Sequence, residues 1–315
     1  MIIKMKAIEF KRTHYIKLGK GGKWADECFE KGIIRFGWSN IQGVDEINRK
    51  EWDKIADKIK YFFKDKSNGA TQDLNALKRI CEAEHDDVFI TFHKGSMFWC
   101  QPMNGPVEVD NVSKIRRCIN GWSNEPLGGG KTFFVNDISG YLTKTQGFQG
   151  TTCELVDQQA KIVWRLINNL PTESINEVKS MKDKLIEKIV ELIKDLHPKD
   201  CEILADLIFQ RTGWQRISMH GENMKFIDMQ YIEPITGNRY DVQVKSGAGK
   251  KEYEEYFHKY HDYKTTKFYF VVFNPKNSLN EVVLSDPKIE LFFGKKLAEL
   301  IFDLGLLNWL MLKSY

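Results

Sequence analysis

The run Asp241-Val242-Gln243-Val244-Lys245 alternates polar and apolar side chains. On an extended strand alternate residues face one side, so Asp241, Gln243 and Lys245 share a face and Val242 and Val244 the other. The valines belong to a core. A lysine beside two oxygen-bearing side chains does little for stability, but it supplies parts for a reaction. Upstream, Asp228 closes the apolar pair Phe226-Ile227 on what reads as the preceding strand, joined to this one by a turn at Pro234–Asn238. A hairpin of that length makes Asp228 and Gln243 neighbours. Such oxygens suit Mg²⁺, and an ion beside an ammonium group is what cleavage of a phosphodiester requires. The ion activates water and offsets the developing charge, while the lysine positions that water or helps to take its proton.

Other elements must hold these residues in place. Patterning predicts a helix at Asp200–Arg211, strands near Gln215–Ser218, Lys225–Tyr231 and Arg239–Lys245, and a helix at Lys250–Tyr263. A strand at Lys267–Phe273 and a C-terminal helix through Leu297–Leu312 follow. Strands alternating with helices argue a mixed α/β sheet covered on both faces.

His197-Pro198-x-Asp200-x-Glu202-x-Leu204-x-x-x-Ile208, then Arg211-Thr212-Gly213-Trp214, Asp228 and Val242-Gln243-Val244-Lys245 together resemble an Mrr-type PD-(D/E)xK restriction endonuclease over roughly residues 196–315. Q-x-K in place of E-x-K is common in that family. The resemblance implies that Asp228 and Gln243 ligate Mg²⁺ (Mn²⁺ substituting) with the carbonyl of Val244. It also implies that Lys245 acts on the water and that Glu202 supports the site from its helix. Asp241 or Glu222 is a candidate accessory ligand, because Gln243 is neutral. The family's glycine-rich approach to its first aspartate is here Met224-Lys225-Phe226-Ile227.

The chain of 315 residues is too long for one ordinary domain and suits two. The boundary falls at Asn168-Asn169-Leu170-Pro171, after which Ser174-x-x-Glu177 reads as a capping box opening a long amphipathic helix. The expected division is a recognition domain over residues 1–170, a linker helix over 171–196 and a nuclease domain over 197–315. In the first domain, strands are expected at Ala7–Phe10, Ile33–Trp38, Val88–Phe92, Met97–Gln101, Ile115–Asn120 and Thr132–Val135. Helices are expected at Trp24–Glu30, Glu51–Phe63, Thr71–Glu84 and Val156–Leu166. This α+β order resembles the PUA-like barrel of EVE and YTH domains, through the glycine-rich turn into Trp24, the strand to Trp38 and the stretch Asp87–Gly95. That resemblance implies an aromatic cage for a flipped or modified base. Trp24, Trp38, Trp99 and Trp122 are the candidate walls, and Asn40 is a hydrogen-bonding partner for the base edge.

Of the 47 Lys and Arg, 21 lie from Ser174 onward, as do 21 of the 43 Asp and Glu. The first 173 residues therefore hold 26 basic against 22 acidic groups and carry the whole net charge of +4. A grip on nucleic acid is accordingly expected to be shared with the first half. Gly128-Gly129-Gly130-Lys131-Thr132 lacks the leading glycine of a phosphate-binding loop, since Glu125 stands there, and reads as a flexible loop. Gly19-x-Gly21-Gly22 reads as a turn. His258 and His261 share a helix face without a third metal ligand in view. Six scattered cysteines form no C-x-x-C pair and argue against a zinc ribbon or a disulfide scaffold. No run approaches a membrane span and the first residues do not form a signal peptide, so a cytoplasmic protein is expected.

The combined expectation is a Mg²⁺-dependent endodeoxyribonuclease of restriction or defence type. Its substrate would be double-stranded DNA, methylated or otherwise modified, cut by a homodimer formed at least on DNA. The rivals are a defence nuclease gated by a small nucleotide, a non-catalytic nucleic-acid-binding protein with a decayed nuclease fold, and an RNA-modification reader with an RNase domain.

Overall fold

Pro171, which cannot continue the preceding helix, marks the junction between two units of the computed structural model, Met1–Thr172 and Glu173–Tyr315. The structure describes residues 7–37, 43–63, 67–217, 226–260, 266–284 and 286–314. Trp38, Asn40, Glu222 and His261 lie outside them. Among the described residues, no helix is long and apolar enough to cross a membrane, and all six cysteines are free thiols.

In the first unit the elements run β1 (Thr13–Ile16), α1 (Ala25–Lys31), β2 (Ile33–Phe36), α2 (Val44–Asn48), α3 (Trp52–Phe63), α4 (Ser67–Cys81), β3 (Val88–His93) and β4 (Ser96–Pro102). They continue with β5 (Glu108–Val109), β6 (Lys114–Ser123), α5 (Gly140–Thr143), β7 (Thr152–Glu154) and α6 (Asp157–Ile167). The sheet order is β2-β6-β4-β3-β1-β7, with β5 also on β6. Only the β1–β3 pair is parallel among these ladders. Lys94 and Gly95, both at positive φ, make the tight β3–β4 turn. Gly32 ends α1 in the left-handed region, and a Cβ there would stand 3.3 Å from the Gly121 backbone. Glycine is thus required twice over at that point.

Two strand expectations fail here. Ala7–Phe10 is irregular and the first strand begins at Thr13. Thr13 and His14 disguise it, because they are polar yet buried. Thr132–Val135 makes a single bridge, Ser96 to Phe134, and turns into a 3-10 helix.

In the second unit α7 (Glu173–Lys194) and α8 (Pro198–Arg211) precede β8 (Gln215–Arg216), β9 (Met229–Ile232) and β10 (Arg239–Ala248). Then come α9 (Lys250–Tyr260), β11 (Lys267–Pro275), β12 (Ile289–Phe293), α10 (Gly294–Asp303) and α11 (Leu307–Lys313). The sheet order is β12-β11-β10-β9-β8. Strands β10, β11 and β12 are parallel, while β8 and β9 are antiparallel. Strand β11 is apolar on both sides, as a strand covered on both faces must be. Tyr269, Val271 and Phe273 enter one core with Val242, Val244 and residues of α7, α8 and α10. Phe268, Phe270 and Val272 enter another, with Tyr253 and Tyr260 of α9.

The expected linker helix is part of this unit. Ile186, Ile189 and Ile193 of α7 are buried in its core, whereas Ile175, Val178 and Met181 at the other end are exposed. The expected C-terminal helix is two, because Gly305 at φ 68° breaks it. Strand β12 was not legible in the sequence.

Candidate active site at the open edge of the central strand

Among the described residues, strand β10 pairs with β9 only from Arg239 to Val242, opposite Ile232 to Met229. It then runs on to Ala248 beside β11. Backbone groups on the β9 side of β10 beyond Val242 therefore need other partners, because a buried N–H left unpaired is costly. Asp228, immediately before β9, supplies one. Its own N–H donates to Val242 O at 3.0 Å, and its Oδ2 accepts the Val244 N–H at 2.7 Å. The same oxygen accepts Gln243 Nε2 at 2.5 Å, and that amide nitrogen also donates to Val244 O at 3.2 Å. A carboxylate, an amide end and a carbonyl thus converge where the two strands part.

The alternation along β10 is as expected. Val242 and Val244 are buried in the α7–α8–α10 core. Gln243 is also buried, and the half-buried Lys245 extends its Nζ to 4.6 Å from the ring centroid of Tyr256 on α9. Asp241 is fully buried and accepts Gln230 Nε2 at 2.8 Å. It is thereby committed to the β9–β10 ladder, in which it pairs with Gln230.

Burial pushes the Asp228 carboxyl above its ordinary range. The Val244 N–H, the charge of Lys245, the Gln243 amide and the charge of Arg216 oppose this and do not cancel it. The carboxylate is desolvated, with no cation hydrogen-bonded to it among the described residues. A metal ion would complete such a set.

Among the described residues no three His, Cys, Asp or Glu side chains are grouped to hold a metal ion. The set at Asp228 is of another kind, one carboxylate with two neutral oxygens. As it stands, Gln243 Nε2 donates to both Asp228 Oδ2 and Val244 O, so holding a cation would require the amide to rotate by half a turn and give up both hydrogen bonds. With the amide so turned, Asp228, Gln243 and Val244 O would offer three oxygens to a cation, a set that suits Mg²⁺, which keeps several waters and takes few protein ligands.

Glu202 is exposed on α8 and makes no hydrogen bond or ion pair with Asp228, Gln243 or Lys245. Its predicted support of the site is not seen. The buried carboxylate of α8 is instead Asp206, one turn on. It accepts the Tyr231 hydroxyl at 2.6 Å and Arg216 Nη1 at 3.1 Å. Burial, then this hydrogen bond, pushes the Tyr231 phenol well above its usual range. Sequence reasoning missed Asp206, although an acid beside Leu204 and Ala205 on an apolar helix face was a signal. The Arg211–Trp214 string closes α8: Thr212 caps it, Gly213 turns the chain at φ 90°, and Trp214 stacks 4.1 Å from Tyr240 of β10.

The expected aromatic cage fares differently. Trp99 is 7% exposed and donates its indole N–H to Glu125 O at 2.8 Å, within a core that includes Phe133 and Leu155. It is a core residue. Trp24 and Trp122 pack on a separate cluster. Trp122 donates to Ile33 O at 2.8 Å and meets Phe29 edge-on, while Trp24 lies under the Lys23 ammonium. Trp99 and the other two thus pack in different clusters. The glycine-rich loops are turns, with Gly19, Gly21, Gly22, Gly128, Gly129 and Gly130 all at positive φ.

No family model, curated protein or solved structure matches the chain.

Proposed function

We propose that the protein is a Mg²⁺-dependent endodeoxyribonuclease, with a second unit of PD-(D/E)xK, Mrr-like type carrying the active site. The observation that carries this reading is the convergence of Asp228, the Gln243 amide and Val244 O at the open edge of β10, with Lys245 two residues along the same strand. Asp228, Gln243 and the Val244 carbonyl would hold the ion. When bound, Mg²⁺ supplies charge to the phosphodiester and acidity to water. The Val244 N–H fixes the carboxylate against rotation. Gln243 adds an oxygen without adding charge. Lys245 offers ammonium donors to the attacking water and to a non-bridging phosphate oxygen.

Hydrolysis breaks the P–O ester bond, adds hydroxide to phosphorus and leaves a proton on the departing sugar oxygen. In this reading the first unit selects the DNA. Trp24, Trp38 and Trp122 are its candidate aromatic contacts, in a cytoplasmic protein that pairs on its substrate to cut both strands. PUA-like recognition of a modified base is the form proposed for that selection. The test is to incubate the full chain and Mg²⁺ with matched unmodified, methylated and hydroxymethylated duplexes. The reading expects metal-dependent strand cleavage with a preference among them. Absence of cleavage on all three, with Mg²⁺ or Mn²⁺, would refute it.

A further inference from the structure

Lys245 faces an aromatic ring rather than a carboxylate. Its Nζ lies 4.6 Å from the centroid of Tyr256, and no ion pair of Lys245 occurs among the described residues. Tyr256 is itself held firmly. Phe270, fully buried on β11, packs behind it at 5.5 Å, and Phe226, two residues before Asp228, meets it edge-on at 6.2 Å. Buried Tyr253 and Tyr260 anchor α9 on either side.

The other lysine near this ring is differently placed. Lys259 Nζ lies 4.2 Å from the centroid of Phe226 and 5.8 Å from that of Tyr256, and it is paired with Glu255 at 2.5 Å. An acid thus anchors Lys259, while among the described residues no hydrogen bond or ion pair ties the Lys245 ammonium to an acid, although its charge is felt at Asp228 and at Glu255. A lysine stem has several rotatable bonds, and restraining it before reaction removes an entropic cost from the chemical step. A carboxylate partner would restrain it too, but would neutralise the charge the phosphate needs. A ring face attracts the ammonium electrostatically without doing so.

We infer that Tyr256 is a positioning residue for Lys245, holding its ammonium beside Asp228 and Gln243 through the ring face. This rests on the nuclease reading above. It assigns a role to a helix residue that the strand motif does not include.

The experiment compares the full-length wild type with Lys245→Ala, Tyr256→Phe, Tyr256→Leu and the Lys245→Ala/Tyr256→Leu double variant. Cleavage rate, KM for duplex DNA and melting temperature are measured on each. Tyr256→Phe keeps the ring and should keep kcat within about threefold. Tyr256→Leu should lower kcat on the order of tenfold with KM little changed, and the double variant should cut no worse than Lys245→Ala, as expected when two residues act through one group. The ε-methylene proton resonances of Lys245 should be shifted upfield in wild type and Tyr256→Phe, and lose that shift in Tyr256→Leu.

A Tyr256→Leu variant cutting at the wild-type rate would overturn the inference. So would equal losses for Phe and Leu, or losses that multiply in the double variant. Failure of the nuclease reading looks different: wild type cuts nothing, or Lys245→Ala cuts as fast as wild type, and both proposals then fall.

Discussion

Asp87 in the first unit and Asp228 in the second are both aspartates taken out of water, and they end in opposite states. Burial pushes Asp87 up, but the Arg12 hydrogen bonds, the Glu84 N–H and the charges of Arg12 and His14 outweigh it, and the carboxyl lies below its ordinary range. Arg12 binds it with two donors, at 3.0 and 2.7 Å. Asp228 receives a backbone N–H and a neutral amide instead, and burial prevails. Charge compensation at Asp87 is complete within the protein. At Asp228 it is incomplete among the described residues, which is what the proposed site requires.

The first unit repeats the closed arrangement. Fully buried Arg35 is held by Asp110 and Glu27, and Arg116 donates to the carbonyls of Ile80, Ala83 and Met103 at 2.9, 2.6 and 2.7 Å. Replacing one partner in such an arrangement strands the other. Asp87→Ala leaves Arg12 and the Glu84 N–H unpaired and should cost about 2–3 kcal/mol in chemical denaturation, less than for a fully buried pair because the Arg12 side chain is 34% exposed. A loss below about 1 kcal/mol would erase the contrast with Asp228.

His14 departs from that arrangement. It is fully buried against Phe89, and among the described residues neither ring nitrogen has a hydrogen-bond partner. Burial lowers its pKa from 6.5 to about 4, against the pull of Asp87 and with help from the charges of Arg12 and Arg79. The folded state therefore binds a proton less readily than the unfolded chain. Its contribution to stability is present above pH 6.5 and is lost as pH falls through 4. Between pH 7 and pH 5 the loss should reach about 2 kcal/mol. Denaturation of wild type and His14→Phe at both values checks this, with the variant expected to lose less.

The smallest effect has the opposite sign. Because the Asp228 pKa is raised, its folded-state contribution is present below the ordinary 3.8 and is lost as pH rises through the raised value. Ionised Asp228 should thus cost stability at neutral pH. Asp228→Asn should be neutral or more stable by up to about 1 kcal/mol at pH 7, read from melting temperature. A clear destabilisation would mean that the carboxylate is structural, like Asp87.

What the sequence revealed of the site was local. The two-residue period of Asp241–Lys245 and the length of the hairpin suffice to bring Asp228 to Gln243, because both follow from strand geometry. Asp206 and Tyr256 depend on how α8 and α9 pack on the sheet, which no short pattern encodes. The same limit explains Trp99. A glycine or polar neighbour does not reveal whether an indole N–H meets a backbone oxygen in a core. Strand β1 was missed because Thr13 and His14 look solvent-facing in a sheet that covers them. The long helix was read as a linker because its exposed end, Ile175 to Met181, and its buried end share one spacing.

The most direct test of the account is Mg²⁺-dependent cleavage of duplex DNA by wild type and Asp228→Asn, with DNA affinity measured on the same preparations. The account expects the variant to lose cleavage by at least about a hundredfold while binding DNA within a few-fold of wild type. Cleavage by the variant at the wild-type rate would contradict the assignment of the open edge of β10 as the active site.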